Sequence, residues 1–256
     1  MSHHLVAVKD LRFVYADGTP ALDGITFAIH HGESVGLVGA NGAGKSTLIL
    51  HLAGVLTASA GTVRVGDWPV TATTLPHIRR SLGLVFQDPD DQLFMPTVED
   101  DVAFGPANLG LPADEIETRV VAALTRVEAL HLRRRPPQRL SAGEKRAVAI
   151  AAVLAMSPDI LVMDEPSSNL DPAARRALIT QLKAFEHTKI VASHDLDLVL
   201  DVCARTIVLA HGRVAADGPT HTVLDDAELL ARCRLEKPLR LQGCPRCTAT
   251  GASGPK

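Results

Sequence analysis

Cysteine is scarce, and its placement excludes a disulfide framework. The four cysteines of this 256-residue chain, Cys203, Cys233, Cys244 and Cys247, all fall in its last quarter, whereas disulfide scaffolds are small and spread their bridges over the whole fold. Cys244-Pro245-Arg246-Cys247 is a lone CxxC, and a metal or redox site would need further ligands from elsewhere. It is read as two thiols in a tail. Long apolar runs are also absent. None approaches the roughly 20 residues that cross a bilayer, and residues 147–156 suit a buried helix better. Met1-Ser2-His3-His4 has neither the charged nor the apolar region of a secretion signal, so the chain is expected in the cytoplasm. A basic excess is missing too: the net charge of −3 gives no field for nucleic acid, so no nucleic-acid partner is expected. No internal repeat is visible.

The remaining composition, 46% apolar and 21% charged, is that of a globular protein able to bury a sizeable core. Short alternating runs at residues 5–8, 26–30 and 61–65, parted by turn signals, predict an antiparallel β layer near the N-terminus. Residues 34–38, 82–86, 160–163, 189–192 and 206–209 read as buried strands. Helical segments at 173–186 and 196–203 fit parallel strands joined by crossovers. Between 88 and 157 the strand signal vanishes. Residues 113–130 set Ile116, Val120, Ala123, Leu124 and Val127 on one stripe, and 142–156 is helical and apolar on nearly all sides. The prediction is an α/β core carrying an inserted helical lobe at about 88–157. A last short helix is expected at 225–235. The domain is placed at 1–237, with a Cys-containing, flexible tail at 238–256.

Gly39-Ala40-Asn41-Gly42-Ala43-Gly44-Lys45-Ser46-Thr47 follows a predicted strand and opens a helix. Its glycines let the backbone curl around phosphate oxygens. Lys45 can neutralise β/γ charge, and the Ser46 hydroxyl can ligate magnesium. Asp164 ends the apolar strand 160–163, within reach of the magnesium shell, and Glu165 after it can polarise an attacking water. A second anion cradle opens another helix at Leu140-Ser141-Ala142-Gly143-Glu144, where free N–H groups and the helix dipole favour negative charge. One nucleotide does not need two cradles from one subunit. The second makes sense if it serves a nucleotide on a neighbouring copy.

These motifs, in this order, resemble those of the ATP-binding-cassette (ABC) ATPases over about residues 5–235. The resemblance implies an α/β P-loop nucleoside triphosphatase fold of ABC type, with a parallel core sheet, an N-terminal antiparallel β layer and the helical lobe. It also implies ATP and Mg2+ as cofactors. It makes Ser141, Ala142, Gly143 and Glu144 the signature that closes on the partner's ATP. It makes Gln87 a glutamine contacting magnesium and the attacking water, and Asp171, in Ser168-Asn169-Leu170-Asp171, part of a turn that crosses to the other subunit. His194 becomes a switch histidine contacting the γ-phosphate, and Tyr15 the aromatic that stacks on adenine. The other histidines are read as solvated. Ala142 departs from the usual two adjacent glycines. Its methyl sits where backbone should approach phosphate, so slower turnover is expected.

The run from Gln87 through Gly105 is acidic, with apolar residues between the charges. It is read as the surface, residues 88–105, where a basic helix of a membrane subunit docks, with Leu93 and Phe94 as anchors. The run resembles that of energy-coupling factor importers. Pro166-Ser167-Ser168-Asn169-Leu170-Asp171 and Ser193-His194-Asp195-Leu196-Asp197-Leu198-Val199-Leu200 resemble their cobalt/nickel branch. That implies a transmembrane coupling protein, a substrate-binding membrane subunit and a second ATPase subunit, most simply a homodimer, with the chain peripheral on the cytoplasmic face of the cell membrane. An ATPase of a conventional ABC transporter and a soluble regulatory ABC ATPase stay open as alternatives, as do a heterodimer and metal binding by the tail thiols.

Overall fold

A computed structural model describes residues 4–242. Among the described residues ten strands run in chain order as β1 (His4–Val14), β2 (Pro20–His30), β3 (Ser34–Val38), β4 (Ala60–Val65), β5 (Trp68–Pro69), β6 (Leu82–Val85), β7 (Ile160–Asp164), β8 (Thr188–Ala192), β9 (Arg205–Ala210) and β10 (Arg213–Pro219). The α-helices are α1 (Lys45–Leu52), α2 (Leu75–Ser81), α3 (Val98–Asn108), α4 (Ala113–Arg126), α5 (Ala142–Leu154), α6 (Pro172–Lys183), α7 (Leu196–Val202), α8 (Thr220–Asp225) and α9 (Ala227–Arg232). The antiparallel layer has the order β2-β1-β4-β5, and the central sheet the order β10-β9-β3-β8-β7-β6. Every pairing in the central sheet is parallel except that of β10 with β9.

A parallel sheet covered on both faces needs strands that are apolar on both sides, and β7 shows the consequence. Ile160 and Val162 pack with the antiparallel layer and α1, whereas Leu161 and Met163 pack with α5 and the helices beyond. The period of two along one strand thus divides the core in two. The helical lobe holds α3, α4 and α5 against the β6 end of the sheet.

Several boundaries differ from the sequence expectation for local reasons. The amphipathic helix ends at Arg126, not 130, because Glu128 turns left-handed (φ 59°) and the Ala129 N–H closes the end on Leu124 O. The expected helix at 225–235 is instead α8 and α9. Asp226 is extended between them and its carboxylate caps α9 through the Leu229 N–H. Helices α2 and α3 and strands β5 and β10 had no sequence expectation. In α3 the pattern is masked by Pro106 and by three acidic residues in the first turn.

Three readings need correction. Leu93 is a core residue, only 4% exposed, and not a surface anchor. His51 is buried on α1, its Nδ1 2.7 Å from Thr47 O, so it is not solvated. The tail boundary at 238 is also early. The turn Leu239–Leu241 is bound to α7: the Leu239 and Arg240 N–H groups donate to Asp197, and Arg240 pairs with Asp201 at 2.6 Å. Cys244 and Cys247 lie outside the described residues.

Candidate nucleotide site

The phosphate loop is shaped by close approaches that only glycine tolerates. A Cβ on Gly39 would lie 2.5 Å from Leu209 O, and Gly44, with φ 104°, would bring one to 2.8 Å from Ala21 O. The loop therefore nests between the central sheet and β2. Lys45 is 7% exposed. Its Nζ donates to Gly39 O at 2.8 Å and Ala40 O at 3.3 Å, which folds the ammonium back over the loop. The resulting cavity is about 470 Å³ and brings together Tyr15, residues 41–47, Gln87, Glu165 and His194. Gly39 and Ala40 stand behind it through their carbonyls. The Tyr15 and Thr47 hydroxyls are 2.8 Å apart, and the Tyr15 ring meets Phe13 edge-on at 5.0 Å. That holds the ring at the mouth of the cavity.

Glu165 has the most constrained geometry in the site. Its φ of 45° is uncommon for a residue with a side chain, and its N–H is tied to Ala192 O. At 6% exposure its carboxylate is almost wholly enclosed. Oε2 accepts from Ser193 Oγ and the His194 N–H, each at 3.1 Å, and lies 2.8 Å from His194 Nδ1. Oε1 faces Lys45 Nζ at 3.8 Å. One oxygen is thus committed to the turn after β8, and the other opens toward the loop. Asp164 sits beside it with Oδ1 buried and without a hydrogen-bond partner. Burial raises its carboxyl above the ordinary value, opposed by the Ser46 hydroxyl; Glu165 adds to the rise and Lys45 opposes it.

The second cradle lies elsewhere. Ser141 caps α5 in a capping box: the Ser141 N–H donates to Glu144 Oε2 at 2.7 Å, and the Glu144 N–H to Ser141 Oγ at 3.3 Å. The Glu144 side chain is therefore committed to the cap, and the Ser141 N–H holds its carboxyl below the ordinary value. Ala142, exposed, lines a different cavity of about 450 Å³ with Gln87, Asp88, Asp90, Ser168 and Asn169. Gly143 lets α5 approach α6, where a Cβ would stand 3.1 Å from that of Ala174. Asp171 caps α6 through the Ala173 and Ala174 N–H groups. Within one chain, then, Ser141, Ala142, Gly143, Glu144 and Asp171 do not join the cavity of the phosphate loop. Gln87 borders both cavities.

Arg146 had no place in the sequence reading. It is buried, and donates to Phe86 O at 2.7 Å and Gln87 O at 2.6 Å. It thereby fixes the backbone of Gln87 to α5. Next to Glu144 and Lys145 its charge gave no distinct signal in the sequence. Ser193, Arg175 and Asp195 were also missed, because their roles rest on contacts far apart in sequence.

The acidic run is largely paired within the chain. Asp90 binds Lys145 Nζ at 2.6 Å, Glu99 takes Arg133 in two bonds, and Asp101 is buried, with Oδ1 accepting the Phe94 and Met95 N–H groups. Phe94, 59% exposed, packs edge-on against exposed Phe104 at 5.0 Å.

Fold and site together define a P-loop nucleoside triphosphatase. The family model described as ABC transporter matches residues 22–168, more than half of the chain. The chain belongs to that family, as an ATP-binding, ATP-hydrolysing subunit. It is similar to a Geobacter sulfurreducens protein named as an ABC transporter ATP-binding protein, at 66% identity over 96% of this chain and 99% of that one. It is also similar to the energy-coupling factor transporter ATP-binding protein EcfA of Carboxydothermus hydrogenoformans, at 47% identity over 91% of this chain and 87% of that one. Among solved structures, cbiO1 from Clostridium perfringens, part of the ABC transporter complex cbiONQ, superposes with a TM-score of 0.79 at 39% identity, covering 90% of this chain and 94% of that one. A bacterial ABC transporter cassette solved as a dimer gives 0.76 at 25% identity, covering 84% and 98%. Among the described residues no helix is long and apolar enough to cross a membrane.

Proposed function

We propose that this chain is the ATPase of an energy-coupling factor type importer for cobalt or nickel ions, working as a homodimer that closes around ATP. One observation carries the mechanism: the phosphate loop and the signature turn open into different cavities of one chain, so each needs a second copy to face it. The EcfA relatives and the cbiO1 structure support the importer type. The metal rests on the resemblance of the strings around Asp171 and His194.

ATP stacks its adenine on Tyr15, a contact of about 1 kcal/mol. The N–H groups of the loop from Gly39 to Thr47 surround its phosphates, and Lys45 turns from its carbonyls toward β/γ charge. Ser141, Ala142, Gly143 and Glu144 of the second copy close over the γ-phosphate from above, with Asp171 at the seam. Glu165 takes the proton of the attacking water on Oε1, because Oε2 is already held. His194 and Gln87 line the same space and orient the γ-phosphate and the water. Ser46, Gln87 and Asp164 would hold Mg2+; the unpartnered, buried Asp164 Oδ1 fits a cation there. When bound, the ion offsets phosphoryl charge.

Closure is passed to a transmembrane coupling protein through residues 88–105. Its basic helix lies on the acidic run, with Phe94 and Phe104 as the anchors. The substrate-binding membrane subunit selects the ion, and the ATPase stays peripheral on the cytoplasmic face. Co-expression of the neighbouring membrane subunits tests this reading. The ATPase should copurify with the coupling protein, and Phe94→Ser should lower the yield at least tenfold while leaving the ATPase rate of the free subunit unchanged. Copurification indifferent to Phe94 would remove this surface from the interface, and nickel or cobalt uptake independent of the complex would remove the metal.

A further inference from the structure

We propose that Arg175 is a positioning residue for ATP hydrolysis, tying the helix that follows the Ser168–Asp171 turn to the turn that holds Glu165. This deepens the reading above and rests on its choice of Glu165 as base.

Arg175 lies in the first turn of α6, four residues after the capping Asp171. Its Nε donates to Asp195 Oδ2 at 2.8 Å and its Nη2 to Asp195 Oδ1 at 3.0 Å, a two-pronged pairing that fixes orientation as well as distance. Asp195 also caps α7 through the Leu198 N–H at 2.9 Å, so the carboxylate is held from both sides. The Asp195 N–H donates to Ser193 Oγ at 3.0 Å, and Ser193, fully buried, donates to Glu165 Oε2 at 3.1 Å. An unbroken path therefore runs from Arg175 through Asp195 and Ser193 to Glu165, ending 3.8 Å from Lys45 Nζ.

The path has a task because Glu165 cannot hold itself. Its left-handed backbone is unfavourable for a side-chain-bearing residue, and two donors to its Oε2, Ser193 Oγ and the His194 N–H, come from the 193–195 turn. Where that turn sits decides where the carboxylate sits. Among the described residues Arg175 is the only cation paired with Asp195. The nearby acids are engaged elsewhere, Asp201 with Arg240 and Lys183, and Asp197 with the N–H groups of Leu239 and Arg240. Burial pushes the Asp195 carboxyl up, but the Arg175 guanidinium and the Leu198 N–H more than reverse it. A partly exposed ion pair contributes little to stability on its own, so the value of this one is geometric. Since α6 starts at the turn given to the dimer seam, movement there reaches the base through Arg175.

The test uses the full-length protein, with ATPase kinetics, nucleotide affinity and thermal unfolding measured together. Arg175→Met should lower kcat about tenfold, a loss typical of contiguous networks, with KM for ATP within twofold and Tm close to that of the parent. Arg175→Lys, which keeps the charge with a single prong, should recover part of that loss. Ser193→Ala should also slow turnover, and the double variant should be no slower than the slower single, because both act on one path. Losses that multiply in the double variant, an unchanged kcat, or a change confined to KM and Tm would each overturn the proposal. Glu165→Gln separates the two claims. If it is inactive while Arg175→Met is fully active, only the positioning role fails. If it hydrolyses normally, the base assignment falls and this proposal with it.

Discussion

Replacing Glu165 by Gln should stop hydrolysis while leaving ATP binding intact. The amide oxygen can still accept from Ser193 Oγ and the His194 N–H, two of the groups that place Oε2 beside His194 Nδ1, so the fold around the site should survive. What is lost is the basic oxygen on the Lys45 side. General-base catalysis is worth about 10²–10⁴-fold, so kcat should fall by that factor, about 3–5 kcal/mol of barrier. The charge change acts in the opposite direction on binding. At 3.8 Å, the attraction of Glu165 for Lys45 is about 4 kcal/mol in an effective dielectric of 20. Removing it frees the ammonium for phosphate, so ATP affinity should rise. Phosphate release gives kcat, and size-exclusion chromatography with ATP or ADP gives the oligomer. The variant should run as a dimer in ATP and a monomer in ADP. Hydrolysis within threefold of the parent, or ATP binding weakened tenfold, would refute the reasoning.

Two further perturbations address the turn at residues 141–144 and the acidic run after Gln87. Ala142→Gly removes the methyl at the first position of α5; it should raise the ATPase rate, at a helix-propensity cost of up to about 1 kcal/mol, and an unchanged rate would show that the methyl does not hinder closure. Asp101→Asn tests the buried carboxylate behind Phe94. Burial raises the Asp101 carboxyl although the Met95 and Phe94 N–H groups favour its charged form, and Oδ2 has no partner. The folded state thus binds its proton more readily than the unfolded chain. The charged form costs stability above the raised value, and that cost fades as the pH falls through it toward the unfolded value. The Asn amide N–H groups would stand where Oδ2 has no partner, so the pH trend carries the test: relative to the parent, Asp101→Asn should be more favourable at pH 7 than at pH 4, and denaturant unfolding that gave equal differences at the two pH values would contradict this.

The parallel strands of the central sheet were legible because both faces of a parallel sheet are buried, which leaves runs such as Ile160 to Met163 apolar throughout, whereas the antiparallel edge strand β10 alternates and was not. Gly39 to Thr47 were legible because a phosphate loop is a local object, built from consecutive backbone. Helix α3 was hidden by its acidic first turn and by Pro106. Leu93 read as a surface anchor because charge on either side of it says nothing about which way the loop turns; in the fold it turns inward. Arg146, Arg175 and Ser193 were silent for a different reason. Their partners Phe86 and Gln87, Asp195, and Glu165 lie on other elements, and no spacing rule connects them.

By itself the sequence determined the phosphate loop, the acidic pair Asp164-Glu165 and the capped turn at Ser141, since each is made by neighbours in the chain and follows from backbone chemistry. The tertiary structure decided which of these share a cavity. It gathered Tyr15, Gln87, Glu165 and His194 around the loop, and it turned the Ser141 cradle away from them. It also committed Oε2 of Glu165 to Ser193 and His194 and left Oε1 facing Lys45. That division depends on where separate strands and helices end relative to one another, which only the packed sheet can set.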